Sequence, residues 1–553
     1  MDRTSVRPRE WIGVFVFAAL VAGLMLLPYA RRRMDERPGR RFTGITAVYF
    51  TDGASHLSWA RQAADGYWLF ESKYAGADAH GHRVWNLLFL VIGRLARLTG
   101  WTVVAAYQAV RTVSAVLVLA AVYWFAGRYF PDRRMRWVCL ILAATSAGFQ
   151  WIAGARVLDR FDVELVQAST FRTLQTDVLS GPAMGLLILT LGWADRALTG
   201  RGRWAVAASG VLLVLLMSVH AQDASTIVVV ATAAAAIRWL TAPPGGRRHA
   251  LVRGAVVLAG MFAIAAPLAA YHAWTVFSDP SFVGYRGLRN PYLTSSWPEL
   301  YGLVLIAAVI GAGAICRRRE RRRLMLVVWP VSLALLLAMP VGIPLIHTYM
   351  GLHVVLCALA TRGLWAVGRT TAALLKPSAV AAPVLAVAGL VAFVGAASLT
   401  NGLVFLHDLR PMTAAPPRYL RDDEAAALRF IDNTVGPDEV VACVEFPGVI
   451  LPVWTGSRAY VGDVHITPNG EERKRLMDRL MGADGRLTAR DVAAILAAAR
   501  IDYVYVEPAA RALGAADTEA VLVGAGLADR LFTAPNAAVY RVKKSALSRV
   551  LSG

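Results

Sequence analysis

The stretch FTGITAVYFTDGASHLSWARQAADGYWLFESKYAGADAHGH, residues 42–82, holds an unusual share of the polar chemistry in a largely apolar chain. It carries the acids Asp52, Asp65, Glu71 and Asp78, the histidines His56, His80 and His82, and the rings of Tyr49, Trp59, Tyr67 and Trp68. Long apolar runs lie around it, and a membrane protein rarely spends so many ionisable side chains on a plain connection.

Within this stretch, Thr51-Asp52-Gly53 precedes a run, residues 54–65, in which His56, Trp59 and Ala63 recur at helical spacing and Gly66 supplies a stop. The Asp52 carboxylate then stands at a helix N-terminus. Two roles stay open for it. It is an N-cap that accepts first-turn N–H bonds, or an ionised carboxylate held by those groups and ready to take a proton from an acceptor hydroxyl.

Asp52, the following LSWARQAADG at 57–66 and the aromatic YWLF at 67–70 resemble the first extracytoplasmic loop of polytopic GT-C glycosyltransferases. The likeness extends loosely over the whole chain, toward the bacterial protein mannosyltransferase and arabinosyltransferase-like group. It implies that an acid just after the first membrane helix, here Asp52, is the catalytic base.

Composition sets the class. The 553 residues are 57% hydrophobic and 17% charged, with a mean hydropathy of +0.49, far too apolar for a soluble protein of this size. The formal net charge is +21, but the arginines cluster between apolar runs, where they orient helices and meet anionic headgroups. No basic, aromatic-interleaved soluble domain is present, so nucleic acid is not an expected partner. Cys139, Cys316, Cys357 and Cys443 show neither disulfide nor zinc spacing.

Arg3, Arg7 and Arg9 precede an apolar run at 11–29. LPYA before Arg31 is a poor cleavage site, so an uncleaved anchor is expected. Further helical apolar runs follow at 105–125, 137–152, 181–198, 205–219, 225–240, 254–274, 301–316, 324–339, 347–365 and 379–399, giving about eleven transmembrane helices. The run at 85–98 is short and carries Arg94 and Arg97, which predicts a helix lying at the membrane surface.

Alternate loops are basic: Arg128 with Arg133, Arg134 and Arg136; Arg196 to Arg203; Arg238 to Arg253; Arg317 to Arg323; and Arg362, Arg369 and Lys376. The positive-inside rule makes these cytoplasmic, with the N-terminus. Arg31, Arg32, Arg33, Arg37, Arg40 and Arg41 conflict with that locally and are outvoted.

The opposite, extracytoplasmic loops then carry the remaining candidates. In the loop at 153–180, Asp159 and Asp162 form either a solvated face or a metal or phosphate site. His220-Ala221-Gln222-Asp223 either caps the next helix or touches substrate. Arg286 and Arg289 hold a lipid phosphate or merely meet headgroups. His347, Tyr349 and His353 sit near the outer end of a late helix, where buried polar groups invite a functional explanation. The resemblance implies basic residues meeting a donor phosphate there, and this chain has histidines instead. Asp52 is the expected catalytic residue, and His56, Asp162, His220, Asp223, Arg286, Arg289 and His347 are the expected substrate contacts.

After Asn401 the composition changes, and Pro411, Pro416 and Pro417 mark a linker at 401–417. The expected organisation is a GT-C-like transmembrane domain at 1–400, with its first loop at about 30–84, and an extracytoplasmic α/β domain at 418–553. Helices are predicted at 423–433 and 489–500, the latter opened by the capping pattern Thr488-x-x-Asp491, and strands at 439–445, 501–507 and 538–542. The string LPVWTGSRAYVGDVHITPNG at 451–470 resembles C-terminal domains appended to uncharacterised GT-C-like proteins. It carries no nucleophile triad, P-loop or dinucleotide fingerprint, which leaves acceptor handling or structural support.

The leading expectation is a multi-pass plasma-membrane glycosyltransferase that moves a hexose or pentose to an acceptor hydroxyl on a lipid, glycan or protein. An outer active site is remote from cytosolic nucleotide sugars, so the donor would be a polyprenyl-phosphate sugar reached from the surrounding membrane lipids. A divalent cation, Mg or Mn, is left open as cofactor. The alternatives are a multi-pass transporter or lipid-linked saccharide flippase, and a scaffold with an inactive site. Against the transporter, ionisable groups gather at one surface and no half-to-half repeat is visible.

Overall fold

The computed structural model describes residues 6–45, 50–79, 81–152, 165–200, 202, 204–282, 296–338, 349–376, 378, 380–410, 419–464 and 466–552. Its main helices, in chain order, begin with α1 (Pro8–Met34), α2 (Phe50–Asp65), α3 (Leu87–Thr99), α4 (Val103–Tyr129), α5 (Arg133–Thr145), α6 (Thr170–Thr176) and α7 (Ser180–Leu198). Next come α8 (Ala205–His220), α9 (Ala224–Leu240), α10 (Arg247–Ser278), α11 (Trp297–Arg317), α12 (Leu324–Ala338), α13 (Leu352–Leu375) and α14 (Ala381–Asp408). The C-terminal helices are α15 (Asp422–Thr434), α16 (Glu445–Thr455), α17 (Gly470–Leu480), α18 (Ala489–Ala498), α19 (Pro508–Leu513), α20 (Ala515–Gly524) and α21 (Lys544–Ser552).

Each apolar run read as a span contains a helix. Among the described residues, six stretches are long and apolar enough to cross a membrane: Pro8–Met34, Val103–Tyr129, Ala205–Leu240, Pro244–Ser278, Trp297–Arg317 and Ala381–Asp408. By contrast α5 has 13 residues, about 20 Å of rise against a hydrocarbon core of about 30 Å.

The chain divides into two compact units. The first comprises the described residues of Met1–Pro28, Gln108–His272 and Arg289–Arg410. It packs through small residues: a Cβ on Gly311 of α11 would lie 1.9 Å from the Leu359 carbonyl oxygen, and one on Gly363 of α13 would lie 2.0 Å from that of Ala307. Only glycine lets the two backbones approach so closely.

Ion pairs tie the helix ends of this unit together where the basic clusters lie. Glu10 pairs with Arg136 at 3.2 Å, and Asp195 with Arg238 at 2.5 Å and Arg128 at 3.7 Å. Glu320 lies between Arg323 and Arg362, 2.5 Å from each. Arg323 also donates to the Tyr129 carbonyl at 3.0 Å. Each of the five basic clusters therefore contributes a residue, or the neighbour of one, to this group of pairs. The alternation read from the arginines is a physical convergence.

The second unit comprises the described residues of Tyr29–Tyr107, Ala273–Leu288 and Pro411–Gly553. Its strands are β1 (Arg41–Phe42), β2 (Tyr419–Leu420), β3 (Val440–Ala442), β4 (Arg458–Ala459), β5 (Tyr503–Val506), β6 (Ala528–Thr533) and β7 (Ala538–Val542). Five of them form a sheet of order β4-β3-β5-β7-β6, parallel across β4, β3 and β5 and antiparallel from β5 onward. Val504, Val506 and Tyr540 enter one apolar layer, and Val441, Tyr505 and Val539 the other. The Thr488 capping box forms as its sequence predicts, with reciprocal bonds of 3.2 and 3.1 Å to Asp491. The strand expected through 445 instead stops at Ala442, because Glu445 and Phe446 open α16.

The first loop is built into this unit. Strand β1 pairs antiparallel with β2, Arg41 opposite Leu420 and Phe42 opposite Tyr419. The Ala459 N–H of β4 donates to the Lys73 carbonyl at 2.8 Å. Tyr74 is buried with its hydroxyl donating to the Val449 carbonyl at 3.1 Å. Three of the conflicting arginines of this loop are paired within this unit: Arg41 with Asp422 at 2.6 Å, Arg31 with Asp35 at 3.6 Å, and Arg33 with Glu36. Arg40 lies over the Tyr419 ring at 4.0 Å. Charges cancelled in this way weigh little in orienting helices.

The run at 85–98 becomes α3, capped by Asn86 and ended by Gly100 at φ 71°. With 13 residues it is too short to cross a bilayer. It packs on α2 so tightly that a Cβ on Gly93 would lie 2.4 Å from the Ala60 carbonyl oxygen.

Candidate active site

Helix α2 begins at Phe50, two residues before Asp52. Asp52 is thus the third helical residue, and the N-cap role is corrected. The Phe50 ring in its first turn stacks on Phe446 of α16 at 5.1 Å and 21°. The Asp52 carboxylate is exposed in the first turn, where the helix N-terminus favours negative charge. Asp65, the other acid of this helix, is engaged by Arg61 at 3.2 Å.

One turn beyond Asp52, the Ser55 hydroxyl donates to the Thr51 carbonyl at 3.0 Å and stands 3.4 Å from the buried Asp463 carboxylate. His56 is half-buried, with its ring 5.0 Å from Phe89 and 6.3 Å from Trp59. Its aromatic packing accounts for its position on α2 as well as a substrate role would.

Beneath this turn lies a buried ionic knot. Trp59 and Gln62 both donate to the Glu71 carbonyl, at 3.2 and 3.1 Å, and the Glu71 N–H donates back to Gln62 at 3.0 Å. The Glu71 carboxylate meets Lys73 at 2.7 Å and accepts from Arg458 at 3.1 and 3.0 Å. Lys73 in turn donates to the Pro437 carbonyl at 2.8 Å. Burial acts to raise the Glu71 pKa, but the Lys73 charge and the Arg458 and Lys73 hydrogen bonds outweigh it and hold it below the ordinary range. This knot and Asp463 were not read as site features from sequence. The signal for them was indirect: Asp463 sits in the 451–470 string, whose resemblance marked that region.

In the first unit, His220 ends α8 and Asp223 precedes α9, with Nδ1 and Oδ2 3.1 Å apart and Asp223 fully buried. Asp223 makes no side-chain cap bond to α9, so the capping role expected for it is not used. His353, expected to invite a functional explanation, is a satisfied core residue. The Thr170 N–H donates to its Nδ1 at 3.3 Å, which leaves Nε2 to donate to the Ser146 hydroxyl at 3.1 Å. Asp162, Arg286, Arg289 and His347 lie outside the described residues, as does Asp159. Among the described residues no three His, Cys, Asp or Glu side chains gather into a metal site.

No protein-family model and no curated protein matches this sequence. Solved structures do match it over nearly its whole length. Oligosaccharyltransferase AglB from Archaeoglobus fulgidus, in complex with an inhibitory peptide and a dolichol-phosphate, superposes with a TM-score of 0.57 at 11% identity, covering 98% of this chain and 75% of that one. ArnT from Cupriavidus metallidurans, bound to undecaprenyl phosphate, gives 0.52 at 13% identity over 98% and 99%. Arabinofuranosyltransferase AftD from Mycobacteria gives 0.59 at 17%, covering 98% of this chain and 40% of that larger one. At these identities the likeness establishes the fold alone, one shared by these three transferase structures.

Proposed function

We propose that this chain is a membrane glycosyltransferase that moves a sugar from a polyprenyl-phosphate donor to an acceptor hydroxyl on the extracytoplasmic face. The observation that carries this reading is whole-chain likeness to three glycosyltransferase structures, two of them holding a polyprenyl phosphate. The same likeness favours a transferase over a transporter or flippase. The basic clusters, read by the positive-inside rule as cytoplasmic, support an outer site.

Asp52 acts as general base. Its carboxylate takes the proton of the acceptor hydroxyl, and the hydroxyl oxygen attacks the anomeric carbon. The bond from that carbon to the phosphate oxygen breaks, and its electron pair leaves with the polyprenyl phosphate. Exposure in the first turn of α2 gives an acceptor access to the carboxylate, and the ionic knot under α2 holds that helix in place. Cationic side chains, with Arg286 and Arg289 as candidates, would stabilise the departing phosphate.

The test is incubation of membranes containing this chain with radiolabelled polyprenyl-phosphate hexoses and pentoses, with and without Mg or Mn. Transfer of label to an acceptor, beyond that in membranes lacking the chain, is expected. Unchanged donor in every combination would overturn the reading.

A further inference from the structure

Among the described residues, several buried polar atoms at one end of α8, α9 and α10 have no hydrogen-bond partner. Asp223 is fully buried and neither carboxylate oxygen accepts a hydrogen bond, with the His220 ring Nδ1 3.1 Å from its Oδ2. Thr226, one turn on in α9, is fully buried, and its hydroxyl makes no hydrogen bond. His272 of α10 bonds the Met217 carbonyl of α8, while its Nε2 is buried without a partner.

Packing sets these groups at one level. A Cβ on Gly260 would lie 2.8 Å from Val206, and one on Gly210 would lie 2.6 Å from Ile264, so α8 and α10 run side by side in the same direction. That register carries the last turn of α8, from Met217 to His220, to the height of His272. Asp223 and Thr226 follow directly where the chain turns into α9.

Leaving such groups unpaired costs about 1–3 kcal/mol each, more for a charge, so a native chain normally gives them a partner. The missing partner must be rich in donors, because a carboxylate only accepts. It must also present several at hydrogen-bond spacing. Resting on the transferase reading, we infer that this niche binds the vicinal hydroxyls of a sugar. Asp223 accepts from two of them, and Thr226 and His272 Nε2 bond their neighbours. The sugar belongs either to the lipid-linked donor or to a glycan acceptor, and the experiment separates these sources.

The measurement uses the purified full chain in nanodiscs, with Asp223→Asn, Thr226→Val and the parent titrated with three ligands. These are bare polyprenyl phosphate, polyprenyl-phosphate hexoses and pentoses, and a neutral oligosaccharide. Loss of one charged hydrogen bond corresponds to a roughly tenfold to hundredfold weaker affinity. A loss of that size in Asp223→Asn and a smaller one, up to about tenfold, in Thr226→Val, for the sugar-bearing lipid but not the bare one, places the donor sugar in the niche. A loss confined to the oligosaccharide places the acceptor there. Thermal midpoints close to the parent's show that the variants are folded, and Thr226→Val stands if Asp223→Asn does not fold. Affinities unchanged for all three ligands, or weakened equally for all, overturn the inference while leaving the transferase reading intact. A parent that binds none of the three overturns both.

Discussion

Arg458 grips the Glu71 carboxylate with two guanidinium nitrogens, at 3.1 and 3.0 Å, across 387 residues of sequence. Lys73 approaches the same carboxylate to 2.7 Å, and neither Glu71 nor Lys73 is more than 2% exposed. With water excluded, each charge depends on the others, and removing one leaves an uncompensated charge in the interior. Glu71→Gln is expected to destabilise the second unit by about 3–5 kcal/mol, and Arg458→Ala by a similar amount. Hydrogen exchange at 70–79 and 458–463 reads it directly. Asp438 also pairs with Arg458 at 2.7 Å but is 75% exposed, so Asp438→Ala should leave exchange in both segments near that of the parent.

Two buried glutamates should give the second unit opposite pH dependences. Glu71 titrates below its ordinary range, so its contribution is present above the unfolded value of 4.5 and is lost as pH falls. Glu507 is pushed up to about 7 by burial, against hydrogen bonds from Ala509 and Ala510 that pull it down. Its folded form keeps the proton while the unfolded chain ionises, so stability declines as pH rises from about 4.5 to about 7. The loss is on the order of 3 kcal/mol. Glu507→Gln should flatten the thermal midpoint between pH 5 and 7, and an unaltered slope would exclude this origin.

Asp52→Asn should lower transfer by roughly 10²- to 10⁴-fold with bare polyprenyl phosphate bound as before. The amide preserves shape but accepts no proton. A folded variant that turns over within a few-fold of the parent would remove Asp52 from the chemistry.

The long apolar helices were legible because their signal is local: spacing, capping and runs of apolar residues. The contacts around Asp52 were not. Phe50 at the head of α2 stacks on Phe446, and Ser55 faces Asp463 across 408 residues. No local pattern encodes either partner. The arginines at 31–41 looked like orienting charges for the same reason, since one of their counter-charges, Asp422, lies far along the chain. His353 resembled a functional residue because its partners Ser146 and Thr170 are also distant.

Native cysteines supply a test of sidedness. Cys316 is exposed beside the basic cluster, whereas Cys139, Cys357 and Cys443 are buried. A membrane-impermeant maleimide should modify Cys316 only after permeabilisation. In a Cys316→Ser background, Asp484→Cys, at an exposed turn, should react in intact cells. The reverse pattern would place the basic clusters outside.

The hydrogen bond from Ala459 to the Lys73 carbonyl also sets a clock on biogenesis. At about 5–20 residues per second, the ribosome delivers Arg458 roughly 20–80 s after Glu71. Throughout that interval Glu71, Lys73 and the Tyr74 ring have neither the β4 edge nor α16 to rest against. The first loop must therefore stay soluble and unaggregated while the ten apolar runs read as later spans are inserted or made. Chains stalled before β4 should be those whose first loop is clipped by proteases, while finished chains resist.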